Sequence, residues 1–297
     1  MKETESVLSA MVESILQTLS YAPIQRALAA CILCGASCAL LSVFVVLMKM
    51  PLIGVSMSHA AFAGAVLGML LDINPFVSGF ILCLLTAAVL GPLSDRADMA
   101  PENLLGILFS FLMGVAFLGM GILTQTKAGA LNLMWGSLLT LSNNDLYVLA
   151  LVTLVLTVFI VLFFKEIRVV LFSRRLAASS GVPERVIYYI LLFMTGAVVS
   201  SNLATVGGLL IFALLVEPGA VALQLTYNLK SFFLISAATG ILACFLGLVA
   251  SYVFDIPSGA SVVLAATVLF ALAFVFSPKR RVVRPIERKI HDENDRR

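Results

Sequence analysis

Charged residues are scarce in this sequence. Asp, Glu, Lys and Arg make up 12% of its 297 residues, and there are only two His and one Trp. A typical soluble domain is about one-quarter charged, so this composition excludes an ordinary soluble protein. Apolar residues dominate instead, at 61% with a mean hydropathy of +1.09. They form blocks of about 20 residues, the length that a helix needs to cross the hydrocarbon core of a bilayer. We therefore predict an all-α, polytopic membrane protein.

Common catalytic and nucleotide-binding motifs are also missing. The sequence contains no phosphate loop of the form GxxxxGKS or GxxxxGKT, no Gly-rich dinucleotide fingerprint, no HExxH and no GxSxG elbow. The five cysteines lie inside apolar segments without a CxxC…CxxC zinc pattern, so we predict that they are packing residues. We predict no enzymatic activity, no permanently bound cofactor and no nucleic-acid partner. If the chain is an active transporter, a separate subunit must hydrolyse ATP.

The apolar blocks predict about nine transmembrane helices, with eight to ten as the range. The sixth and seventh predicted spans follow each other directly, so a tight turn at Ser200–Asn202 is required between them. The stretch 130–141 is too short to cross comfortably, so we predict that it is re-entrant or interfacial. The predicted spans are 27–48, 52–71, 75–93, 103–123, 145–164, 186–200, 203–223, 231–254 and 258–276.

Charge divides the chain into three regions and sets its direction. Residues 1–26 have the pattern of an amphipathic interfacial segment without a cleavable signal peptide, 27–276 form the transmembrane domain, and 277–297 form a charged tail. With that tail in the cytoplasm, only three of the 19 Lys and Arg residues fall outside, namely Lys2, Arg26 and Lys127. Positive charge marks the cytoplasmic side. We predict that the N-terminus is outside and the C-terminus inside.

Two ionisable residues within the predicted spans are candidates for an ion path. His59 lies in the second span, and an imidazole there either lines a cavity as a metal ligand or donates to a backbone carbonyl. Glu217 precedes Pro218 in the seventh span, where the proline frees backbone carbonyls. Counted from the cytoplasmic ends of their helices, both residues lie roughly 10 Å deep. They could share a divalent cation, or Glu217 could be an ion-pair partner or a lone protonated acid.

Two other segments have recognisable patterns. Ala60, Gly64 and Gly68 recur every four residues, a spacing that lets another helix approach closely. In the longest internal cytoplasmic loop, Leu176–Ser180 are compatible with a short helix that Gly181 would end. Such a helix could dock on a soluble partner, or the segment could be a basic loop held by lipid headgroups.

Several stretches together resemble the membrane permease subunit of bacterial ABC importers for zinc, manganese or iron, from about Tyr21 to Phe276. Each stretch is weak alone, but their shared order and spacing carry the resemblance. They are Gln25–Leu28, Val43–Leu47, Ser58–Ala60, Gly106–Ser110, Trp135–Ser142 with Asp145 and Leu146, and Val206–Leu210.

The resemblance implies a permease homodimer in the bacterial inner membrane, a separate ATPase and an extracytoplasmic metal-binding protein. The transported divalent metal ion would then be the substrate. The resemblance also implies that 172–183 is the coupling helix that touches the ATPase, through Arg175, Leu176, Ala177 and Gly181. His59 falls on the family's Ser-His-Ala motif, which lines the translocation path.

The sequence departs from the family pattern at three positions. Val55 stands where the family usually has an acid, Glu217 stands where it usually has an apolar residue, and Ser173 replaces a common Asp. We hypothesise that Glu217 supplies the carboxylate that position 55 lacks. The alternatives are a permease for a metal chelate or other small solute, and a secondary transporter that needs no ATPase.

Overall fold

The computed structural model describes residues 21–96, 99–123 and 141–279, which form eleven α-helices. In chain order these are α1 (Ala22–Leu47), α2 (Leu52–Leu70), α3 (Pro75–Arg96), α4 (Pro101–Ile122), α5 (Asn143–Leu162), α6 (Phe164–Phe172), α7 (Arg174–Ser179), α8 (Glu184–Val206), α9 (Gly208–Leu225), α10 (Leu229–Phe254) and α11 (Ser258–Val275).

The prediction of an all-α, polytopic membrane protein is confirmed. Within the described residues, eight helices are long and apolar enough to cross a membrane, and α9 contributes a shorter apolar stretch at Ile211–Leu225. α6 and α7 are short and connect α5 to α8. The positions of the helices do not fix the direction in which the chain crosses the bilayer. The orientation with the N-terminus outside and the C-terminus inside, which follows from the distribution of charge, stays a prediction.

The predicted turn at Ser200–Asn202 is wrong, because α8 runs through these residues to Val206. Two of their polar side chains bond back to the preceding turn of the helix: the Ser201 hydroxyl donates to the Val198 carbonyl at 3.0 Å, and the Asn202 amide donates to the same carbonyl at 2.7 Å. The break comes instead at Gly207, whose φ of 87° and ψ of 148° lie in a region that glycine adopts most readily.

Other boundaries differ from the prediction or fall outside the described residues. α1 begins at Ala22, so residues 22–26 are continuous with the first long helix. Residues 1–20, residues 130–140 of the predicted re-entrant stretch, and tail residues 280–297 lie outside the part of the chain that the structure describes.

The long helices of the bundle differ in how far they are buried. α1, α2 and α8 are mostly buried, whereas α3, α4, α5, α10 and α11 expose much of their surface. The inner helices owe this position to small residues such as Ala30, Gly35 and Ala61, which let neighbouring backbones approach. The outer helices instead expose large apolar side chains such as Phe111, Leu151 and Leu264. Such faces suit contact with lipid or with another membrane-embedded chain.

One close approach in the interior joins α1 to α10. A Cβ atom added to Gly35 would lie 2.7 Å from the Gly240 carbonyl oxygen, so the two backbones touch there. Two turns further along α1, the hydroxyl of Ser42 is 2.8 Å from that of Ser236 in α10, and Ser236 also donates to the Ala39 carbonyl at 2.7 Å. α1 and α10 therefore pack without large side chains between them.

The chain after α11 is tied to the end of α9. The Ser277 hydroxyl donates to the Gln224 carbonyl at 2.9 Å, and Lys279 Nζ donates to the Leu223 and Thr226 carbonyls. These carbonyls belong to the C-terminal end of α9, where a cation also interacts favourably with the helix dipole. The same ammonium lies 3.8 Å from the centroid of the Tyr227 ring.

Candidate functional site

His59 lies near the middle of α2, on the face that contacts α4. The residue is 8% exposed, and its ring centroid is 5.0 Å from that of Phe109 in α4. One turn earlier, the Ser56 hydroxyl donates to the Leu105 carbonyl of α4 at 2.9 Å. Among the described residues, no group of three or more His, Cys, Asp or Glu side chains is placed to hold a metal ion. A single chain therefore presents His59 as one potential ligand, and not as part of a complete metal site.

Glu217 faces α11. The Thr267 hydroxyl of α11 donates to Glu217 Oε1 at 2.9 Å, while Glu217 Oε2 is buried and has no hydrogen-bond partner among the described residues. A buried ionised oxygen without a donor is costly in an apolar environment. This oxygen is satisfied when it carries a proton or contacts a cation. Helix α9 continues to Leu225 despite Pro218.

The structure does not bring His59 and Glu217 together within one chain. α2 meets α9 at Gly54, where an added Cβ atom would lie 3.0 Å from the Leu215 side chain. Residues in an α-helix are about 100° apart, so Glu217 points roughly 200° away from Leu215 and away from α2. His59, five residues after Gly54, is likewise turned towards α4. The neighbours are instead Thr267 for Glu217 and Phe109 for His59, and neither contact was predicted from the sequence.

The small residues of α2 contact α3. A Cβ atom added to Gly64 would lie 2.6 Å from the Ser78 carbonyl oxygen, and one added to Gly68 would overlap the Ser78 hydroxyl. Gly79 of α3 approaches equally closely, at 2.6 Å from the Ala61 carbonyl oxygen, and Ala60 is fully buried. The α2–α3 hairpin that contains His59 is therefore held together by backbone contact.

Helix α7 occupies the predicted coupling segment, so the prediction of a short helix there is confirmed. The Ser173 hydroxyl caps its first turn by accepting from the Leu176 amide, and Gly181 ends the segment with a φ of 76°. Leu176 is 48% exposed, Arg175 is also exposed, and Ala177 is fully buried. Just before the helix, Phe172 is 81% exposed. α7 thus presents a mixed apolar and basic surface.

Sequence reasoning missed an ionic cluster behind α7. Arg174 donates to Glu184 Oε2 at 2.8 Å and to Asp95 Oδ1 at 2.9 Å, and its guanidinium lies 4.1 Å from the centroid of the Tyr188 ring. Burial acts to lower the pKa of Arg174, but the hydrogen bonds to Glu184 and Asp95 raise it above its usual value. The guanidinium therefore stays charged. Because Asp95 is 79 residues away in the chain, no local spacing reveals this pair.

Comparisons with known proteins give the family context of this geometry. The family model described as "ABC 3 transport family" matches residues 20–277. The chain is 33% identical over 267 residues to the manganese transport system membrane protein MntC of Halalkalibacterium halodurans. The alignment covers 90% of this chain and 91% of the relative. It is 29% identical to the "Probable iron transport system membrane protein" of Haemophilus influenzae, covering 91% of this chain and 95% of the relative.

A solved structure matches the fold as a whole. A chain of PsaBC from Streptococcus pneumoniae, determined in complex with a Fab, superposes with a TM-score of 0.81 at 26% identity. The match covers 92% of this chain and 99% of that chain. The similarity therefore extends over the full helical bundle and is not confined to a few motifs.

Proposed function

This chain belongs to the ABC 3 transport family as the membrane permease of an ABC importer, and we propose that its substrate is a divalent transition-metal ion, with manganese and iron as the first candidates. The observation that carries the proposal is the similarity to a manganese transport membrane protein along 90% of the chain. Zinc stays a third candidate because imidazole and carboxylate ligands do not separate these ions.

In this proposal His59 is a ligand along the translocation path. Support comes from its placement: the imidazole lies near the middle of a span, is almost fully buried, and has an aromatic ring as its described neighbour. A neutral imidazole in such a position can coordinate a divalent ion. Since the described residues contain no group of three or more His, Cys, Asp or Glu side chains that could hold a metal ion, we infer that the site is completed by a second permease copy.

Glu217 is the second proposed path residue. Support comes from its partly buried carboxyl group, which has one oxygen bonded to Thr267 and the other without a partner. That oxygen of Glu217 without a partner can coordinate a cation. Since α9 turns Glu217 away from His59, the two residues would contact the ion at successive positions and not simultaneously within one chain.

We further propose that α7 is the coupling helix. Its exposed Arg175 and Leu176, together with Phe172 before it, offer a surface on which a cytoplasmic ATPase can dock. Buried Ala177 and the turn at Gly181 hold that surface in position. The remaining proposed partners are an extracytoplasmic metal-binding protein that delivers the ion, and membrane lipid around the outer helices.

Two observations favour a second candidate function. Val55 replaces the acid expected one turn before His59, and a single chain contains no complete metal-ligand cluster among its described residues. A path with few fixed ligands would also suit a metal chelate, whose own donors occupy the coordination sphere. This alternative keeps the permease and changes only the substrate.

Uptake into proteoliposomes tests the proposal. The chain is reconstituted with its ATPase and binding protein, and ATP-dependent uptake of radiolabelled manganese, iron and zinc is measured for wild type, His59→Ala and Glu217→Ile. We expect one metal to accumulate, and both variants to lose most of that uptake while still assembling with the ATPase. The matched control is His291→Ala, which removes the other histidine of the chain and should leave uptake unchanged.

Two outcomes would contradict parts of this proposal. If the complex hydrolyses ATP but moves no metal ion, the substrate assignment fails and metal chelates become the next substrates to measure. If a metal is imported and His59→Ala imports it as well as wild type does, His59 is a packing residue and the path lies elsewhere.

A further inference from the structure

We propose that Arg174 is a positioning residue that links the docking helix α7 to the helices of the translocation path, and that coupling of ATP hydrolysis to import requires this link. The inference rests on the proposed role of α7 in binding the ATPase. Arg174 itself lies behind the exposed surface of α7, so its function would be to transmit a displacement and not to contact the ATPase.

The contacts of Arg174 reach two long helices at once. Its Nε atom donates to Glu184 in the first turn of α8, and one terminal nitrogen donates to Asp95 in the last turn of α3. A planar guanidinium can hold two carboxylates in fixed directions. The second Asp95 oxygen accepts from the Tyr189 hydroxyl at 2.8 Å, which connects α3 to α8 directly. α7, α3 and α8 therefore meet at one charged centre.

This centre is partly shielded from water, although Asp95 lies at an exposed position at the end of α3. The side chains of Arg174, Asp95 and Glu184 are 24%, 17% and 14% exposed. Ion pairs on an open surface contribute little because water and salt screen them, whereas shielded, hydrogen-bonded pairs are stronger and keep a defined geometry. Arg185 approaches Asp95 only to 3.8 Å and is 74% exposed, so it cannot replace Arg174 in this role.

From this centre, packed contacts lead to His59. α3 touches α2 through Gly79 and Gly64, where the backbones are in contact. The Tyr188 ring beneath Arg174 is fully buried, and its hydroxyl donates to the sulfur of Met50, just before α2 begins. A shift of α7 would thus act on α2 both through α3 and at its N-terminal end. Both routes lead to the helix that contains His59.

A purely structural role for Arg174 makes a different prediction. If the cluster only stabilises the fold, its loss should lower import and ATP hydrolysis in proportion. If the cluster transmits motion, its loss should lower the number of ions imported per ATP hydrolysed. Coupling between distant sites typically changes equilibria by about 5-fold or more. The ratio of uptake to hydrolysis is therefore the quantity that separates the two roles.

The experiment measures that ratio in proteoliposomes containing the complete complex. Radiolabelled Mn²⁺, Fe²⁺ and Zn²⁺ are offered separately, and uptake and ATP hydrolysis are followed in the same vesicles. We expect Arg174→Gln to assemble with the ATPase and hydrolyse ATP, with the ratio reduced roughly 5-fold or more. Asp95→Asn cuts the same link from α3 and should give a similar reduction. The double variant should reduce the ratio by less than the product of the two single effects, because both substitutions remove the same Arg174–Asp95 bond.

The matched control is Arg168→Gln, which removes an exposed arginine of α6 that has no ion-pair partner among the described residues. Its ratio should equal that of wild type. If wild type imports none of the three ions, the proposed function fails and this inference with it.

If wild type imports an ion and Arg174→Gln keeps the wild-type ratio, the inference is overturned and the function stands. The same holds if Arg174→Gln fails to assemble while Asp95→Asn keeps a normal ratio, because Arg174 would then only build the docking surface.

Discussion

At the scale of single residues, glycines set the distance between helices. Gly64 and Gly79 bring α2 and α3 into backbone contact, and Gly35 and Gly240 do the same for α1 and α10. Other glycines have no such function: an added Cβ atom at Gly114 of α4 would meet no atom within 4 Å. We call the four glycines at which backbones meet contact glycines. Gly114, which has no such contact, serves as the control for them.

We expect Gly64→Ala to destabilise the protein by about 1–3 kcal/mol, the usual range for forcing extra volume into a packed interior. The new methyl group would lie 2.6 Å from the Ser78 carbonyl oxygen, and backbone atoms cannot rotate out of the way. The measurement is thermal unfolding of the purified protein in detergent. Gly114→Ala is the control and should not lower the melting temperature, because the added methyl group meets no atom and Ala has the higher helix propensity. Equal effects of the two substitutions would contradict the assignment of Gly64 as a contact glycine.

The candidate residues were visible in the sequence, but their partners were not. His59 and Glu217 stand out because ionisable groups are rare in apolar spans, which is a property of composition alone. Thr267 and Phe109 became neighbours of these candidate residues only through tertiary packing. The sequence placed His59 and Glu217 at one depth, but depth fixes only the position along a helix. The direction around each helix depends on which faces its neighbours cover.

At the scale of elements, the break between α8 and α9 corrects the sequence reading most clearly. Polar residues at Ser200–Asn202 suggested a turn, but their side chains can bond to carbonyls of the preceding helical turn, which leaves the helix intact. A positive φ at Gly207 ends α8 instead. Long apolar elements were predictable from length and hydropathy, whereas this boundary depended on the conformation of a single residue.

Replacing Gly207 with Ala should destabilise the α8–α9 connection by about 1–3 kcal/mol, because a residue with a Cβ atom is strained in this backbone region. The expected result is a lower melting temperature, measured as for Gly64→Ala. Gly114→Ala again serves as the reference, since it adds the same methyl group to a helix with ordinary dihedral angles. An unchanged melting temperature for Gly207→Ala would show that the connection can relax into another conformation.

At the scale of the whole molecule, the predicted orientation depends on charge. The loops and the C-terminal tail assigned to the cytoplasm together contain most of the Lys and Arg residues, including Arg168, Arg174 and Lys230. Anionic lipids and the insertion machinery favour basic loops on that side. The same assignment places α7 where an ATPase could reach it, so orientation and proposed function depend on one another.

Cysteine labelling can determine the orientation. All five native cysteines are buried, so they should give little background with a membrane-impermeant maleimide. We expect Asn144→Cys, at the exposed start of α5, to react in intact cells. Lys230→Cys, at the exposed start of α10, should react only after the cells are permeabilised. The reverse pattern would invert the topology and place α7 outside the cell.

The contact between α1 and α10 has a consequence for how an importer of this kind can move. Two helices separated by side chains can slide past each other as those side chains change rotamer. At Gly35 and Gly240 there are no side chains to rearrange, and displacement by one residue would drive a neighbouring Cβ atom into backbone. These two helices must therefore travel as a single rigid body. Alternating exposure of the substrate to the two sides of the membrane has to come from motion at other interfaces.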